Sequence, residues 1–88
     1  MNNIEYSERT DKANGWRIRE IDKAQSWLSK ERDKLDILKC PQNRDLLQIL
    51  NTDLFNRYKA ICNLVDEQWM GMIKAIDVSD QLDRKARE

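Results

Sequence analysis

Along residues 43–77 the apolar positions recur with a helical period. Leu47, Leu50, Leu54, Tyr58, Ile61, Val65, Trp69, Met72 and Ile76 follow one another by 3, 4, 4, 3, 4, 4, 3 and 4. At 100° per residue they share one face of a helix. The repeat is one of eleven residues, which keeps a stripe on one side of a nearly straight helix. Phe55, Cys62 and Ile73 form a second flank, and Leu46, Leu64 and Leu82 a third. Together they cover about half the circumference. Gly71 and Ala75, with Ala60 further up, put small residues on one side, where another helix can approach closely.

Upstream the pattern is narrower. Ile21, Ala24, Leu28, Leu35 and Leu38 line one face over 15–39, with a gap at Glu31. Pro41 disfavours helical geometry at Cys40, so the first helix is expected to stop by about Lys39. Asn43 then caps the second helix, with Asp45 in its first turn. Asn14-Gly15 marks the start, or a bend, of the first helix, and residues 1–6 read as an arm. Val78-Ser79-Asp80 offers a break, followed by a short terminal helix over 80–87 unless the second helix runs on. No β-type alternation, repeat or low-complexity linker interrupts this reading. The fold class expected is therefore all-α: a helical hairpin in one domain over 1–88, short helix then long, completed by a second copy or by a partner.

The unequal arms locate a surface. At 1.5 Å per residue the two helices are about 37 Å and 52 Å long, so the far end of the second is expected to lack cover. Trp69, Met70, Met72, Ile73 and Ile76 lie there, with Phe55 on the same helix. Aromatic and methionine clusters are typical of interfaces, and Trp69 is the expected anchor. The competing reading is that Ile4, Tyr6 and Trp16 fold back over the cluster, or that a terminal helix through Leu82 does, and that it is ordinary core.

Charge narrows the partner classes. Sixteen basic residues balance sixteen acidic ones, so whole-chain charge gives no pull toward nucleic acid or an anionic membrane. No apolar run approaches the roughly 20 residues of a membrane helix, and the start of the sequence does not read as a signal peptide. Locally, Arg19, Lys23, Lys30 and Lys34 line one side of the first helix, with Trp16 and Trp27 on its border. Such a face can track phosphates while an indole stacks on a base. The alternative is a solvated face held by Arg17–Glu20, Arg19–Asp22 and Arg32–Asp36 pairs. Asp66, Glu67, Asp77, Asp80 and Asp83 are offset only by Lys74, which suits either solubility or a basic partner.

Candidate chemistry is sparse. The chain has no histidine, which removes Ser-His and Cys-His nucleophile activation and every His-containing zinc pattern. Two cysteines make neither a four-sulfur site nor a disulfide framework. Cys62 reads as a small hydrophobe, and Cys40 as a thiol at the turn beside Lys39. No catalytic, cofactor or metal site is expected, and reduced thiols point to the cytoplasm.

Asp33-Lys34-Leu35, Pro41, Asn43, Leu46-Leu47 and Ile73-Lys74-Ala75-Ile76-Asp77 together resemble the hairpin pattern of type III secretion needle subunits. That resemblance implies a helical-hairpin secretion component. The chain departs from the pattern in its three Trp residues and its charged tail. The function expected from the residues themselves is non-enzymatic: an adaptor, small chaperone or inhibitor, of the kind phage and mobile elements encode, acting as a homodimer or in a heteromer. Nucleic-acid binding through the first helix is the alternative.

Overall fold

Asn2 caps the first helix. In the computed structural model, which describes residues 2–87, its side chain accepts a hydrogen bond from the Glu5 amide at 2.8 Å. Helix α1 then runs over Asn3–Lys34, straight through Gly15. This corrects the arm expected over 1–6 and the start expected near residue 15. The physical reason is the N-terminal signal itself: the Asn2 side chain satisfies one orphan amide, and Glu5 places a carboxylate in the positive first turn. Tyr6, Thr10 and Ala13 then extend the inward-facing row of the helix by two further turns.

The chain reverses where proline dictates. A 3₁₀ turn, Leu35–Leu38, ends α1, and Cys40 is extended (φ −146°, ψ 158°), the geometry forced on a residue before proline. A second 3₁₀ turn, Pro41–Asn43, leads into helix α2 over Arg44–Arg87. Asp45 lies in the first turn of α2, as expected. Of the two readings open at Val78-Ser79-Asp80, the unbroken helix is the one observed: α2 runs through it and spans 44 residues. Asp80 pairs with Arg84 one turn on at 3.1 Å, and no glycine or proline follows to end the helix.

The architecture is an all-α helical hairpin. Hydrogen bonds between described side chains cross it from Tyr6 to Asp77, from Trp69 to Asn14 and from Arg17 to Asp66. In each pair the residue numbers add to 83. The helices therefore run antiparallel in one unslipped register, with Asn3 opposite Asp80. Only 81–87 of α2 extend beyond the start of α1. Residues 69–76 face residues 7–14, so the uncovered far end expected from a short first helix does not exist.

Burial is confined to a thin seam. Ala13, Ala24 and Leu28 of α1 and Leu54 and Val65 of α2 are the buried apolar residues along it, and no described side chain is wholly buried. The two alanines let the helices approach closely. The molecule measures 71 × 17 × 10 Å on its Cα atoms. Its radius of gyration is 20.2 Å, where a compact chain of this length would have about 12 Å.

Candidate interaction surface

Trp69 is held within the hairpin. Its indole N–H donates to Asn14 Oδ1 at 2.9 Å, and the Arg17 guanidinium lies 4.6 Å from its ring centroid. Arg17 also donates from Nε to Asp66 Oδ1 at 2.8 Å, across the helices, in place of the local pair expected with Glu20. Both partners of that ion pair are about 40% exposed, so it contributes at most about 1 kcal/mol. At the open end the Tyr6 hydroxyl donates to Asp77 Oδ1. That bond and the Asp77 charge hold the Tyr6 phenol above its ordinary pKa.

The six apolar residues singled out on α2 divide among three places. Met72 and Ile76 line a shallow groove with Ala13 and Trp16, bordered by Arg9 and Lys12. Tyr6 and Trp16 thus reach this end through an extended α1, while Ile4 stays exposed. Trp69, Met70 and Ile73 line a second depression beside Lys74 and Asp77. Phe55 stands apart, near Tyr58 and beneath the Lys59 ammonium at 4.8 Å. The structure does not gather them into one patch.

Another flank is more continuous. Leu64, Val78 and Leu82 of α2 are exposed, with Gly71 and Ala75 between them, and Gly71 to Leu82 border one depression. A Cβ added at Gly71 would meet nothing within 4 Å, so packing inside this chain gives no reason for a glycine there. In mid-helix that glycine costs about 1 kcal/mol against alanine. The sequence already carried the signal, since Leu46, Leu64 and Leu82 form its third flank, but the wide stripe through Trp69 dominated the pattern.

The basic stripe is partly assembled. Arg19, Lys23, Trp27 and Lys30 line one depression on the outer side of α1, together with Asp22. Lys34 lies outside it and pairs with Glu31 at 2.9 Å, while Lys23 pairs with Glu20 at 3.0 Å. These intrahelical carboxylates offset part of the positive field. Cys40 and Cys62 are both free thiols. No described helix is long and apolar enough to cross a membrane, and no cluster of metal-ligating side chains occurs among the described residues.

Surface area summarises the geometry. The chain exposes 6994 Å². A compact monomer of its 10.5 kDa mass would expose about 5,400 Å². The excess of about 1,600 Å² follows from folding into one layer two helices wide. No family model, no curated protein and no solved structure matches this chain.

Proposed function

We propose that this chain is a non-enzymatic helical interaction module, an adaptor, small chaperone or inhibitor that acts by packing a flank of its hairpin against other helices. The observation that carries this reading is the unfinished core. Among the described residues eleven large hydrophobic side chains are exposed and five apolar ones are buried, and two helices have too little mutual surface to cover them. Ten of these eleven exposed positions lie on α1 or α2, the exception being Ile37 in the turn, so a helical surface is the natural complement.

A photo-crosslinking residue introduced at Leu64, Met72 or Val78 in the native host tests the reading. A discrete protein adduct from these positions, and none from Glu8 on the polar side of α1, is the expected result. Absence of any protein adduct at all three positions would remove it.

The depression lined by Arg19, Lys23, Trp27 and Lys30 supports a second reading, a nucleic-acid-binding regulator. That reading requires retention on DNA or RNA at low salt, falling steeply as salt is added. No retention at low salt would dismiss it.

A further inference from the structure

Two apolar stripes diverge along α2. One, through Leu54, Val65, Trp69 and Ile76, faces α1 or its border. The other runs through Leu64, Gln68, Gly71, Ala75, Val78 and Leu82, at spacings of 4, 3, 4, 3 and 4, and every one of these residues is exposed. It contains no charged residue. Its period is seven, the seam of a left-handed coiled coil, whereas the stripe along the hairpin follows an eleven-residue period. A long helix with a second, unpartnered coiled-coil seam is built to pack twice.

We propose that this seam binds the same seam of a second copy, antiparallel, about a two-fold axis beside residue 73. The inference rests on the interaction reading above and names its partner. The sequence of the seam is self-complementary about that point. Leu64 meets Leu82 of the second copy, Gln68 meets Val78, and Gly71 meets Ala75. Each layer joins the two alternating seam positions, the pairing an antiparallel coiled coil requires, and a two-fold contact must match itself in this way. Large residues fall at the ends and the smallest at the axis, so the backbones close most tightly where Gly71 has no role inside its own chain. On the outer border Glu67 comes near Gln81 of the second copy. The two Lys74 ammonium groups flank the axis and extend on their stems into solvent.

The area agrees. A stable interface takes about 800 Å² from each partner, and this chain exposes about 1,600 Å² beyond a compact monomer. The chain carries no net charge that would push copies apart. The product is a four-helix assembly with the two α2 helices at its centre.

The register gives a discriminating test. In a background with Cys40→Ser and Cys62→Ala, chains carrying Leu64→Cys are mixed with chains carrying Leu82→Cys and mildly oxidised. Across the axis residue 64 lies about 27 Å from its own counterpart, and so does residue 82. The expected result is a mixed disulfide only, with light scattering at twice the 10.5 kDa chain mass before oxidation. Gly71→Leu, whose Cβ enters open space in the free chain, is expected to weaken association by about 10- to 100-fold, the effect of an overpacked contact. Helicity by circular dichroism shows that each variant is folded. Monomer mass throughout, or self-disulfides of each variant in place of the mixed one, overturns the proposal. If the purified chain is monomeric while Leu64 or Val78 still crosslinks to a foreign protein in cells, the second copy is wrong and the interaction reading stands. If both are silent, both fall.

Discussion

Trp69→Phe separates a residue that holds the hairpin from one that anchors a partner. The substitution keeps an aromatic ring but removes the indole N–H that reaches Asn14 at 2.9 Å. Both groups are partly open to solvent, so the bond sits at the low end of the usual range, about 0.5 kcal/mol. The smaller ring also holds Arg17 less well. That contact, at 4.6 Å and with a half-exposed guanidinium, loses about another 0.5 kcal/mol. The sum, about 1 kcal/mol, lowers the melting temperature by about 4–8 °C for a chain of this size. Urea unfolding followed by far-UV circular dichroism, at one fixed protein concentration, measures it. A cycle with Asn14→Ala isolates the hydrogen bond, and the expected coupling is about 0.5 kcal/mol. Strict additivity of the two substitutions would refute the clamp. So would unchanged hairpin stability together with weakened association, which would return Trp69 to the contact surface.

Other consequences are equally direct. Thr10 has a buried hydroxyl oxygen with no hydrogen-bond partner, so the isosteric Thr10→Val is expected to raise stability by about 1 kcal/mol, read as a shifted urea midpoint. Gly71→Ala adds a Cβ in open space and should stabilise the diluted, monomeric chain by about 1 kcal/mol, measured by thermal melts. Tyr6 has its phenol raised above 10.0 by the hydrogen bond to Asp77 and by the charge of that carboxylate. The folded chain thus favours the neutral phenol: the contact is complete below pH 10 and is lost as pH climbs through the raised value. Tyr6→Phe should abolish the late-titrating part of the tyrosinate absorbance curve and the matching loss of stability.

Much of the fold was legible because it depends on period and on proline. The apolar stripe of 43–77 specifies a long helix, and Pro41 places the reversal whatever the rest of the chain does. The N-terminal turns were misread because Asn14-Gly15 is a strong local turn signal. A helix already nucleated at Asn2 and packed on both sides of that glycine passes through it. That single difference removed the expected gap opposite Trp69. The polar ties between Tyr6 and Asp77, Asn14 and Trp69, and Arg17 and Asp66 left no local trace. Their partners lie 71, 55 and 49 residues apart, and any exposed charge or amide looks the same in sequence before the register is known. The seam at Leu64 to Leu82 was present as scattered apolar positions. It becomes a surface only when α1 is seen to occupy the other side.

A ribbon 71 Å long and 10 Å thick has no centre. Each residue touches only its sequence neighbours and those opposite it, so a disturbance at the Pro41 bend has no short route to Tyr6 and must travel the whole length tooth by tooth. The two ends are close to independent objects on one stick. A modification, a cut or a bound molecule at one end leaves the other nearly unchanged, and a chain of only 10.5 kDa can serve two sites farther apart than a globular protein of its mass could reach.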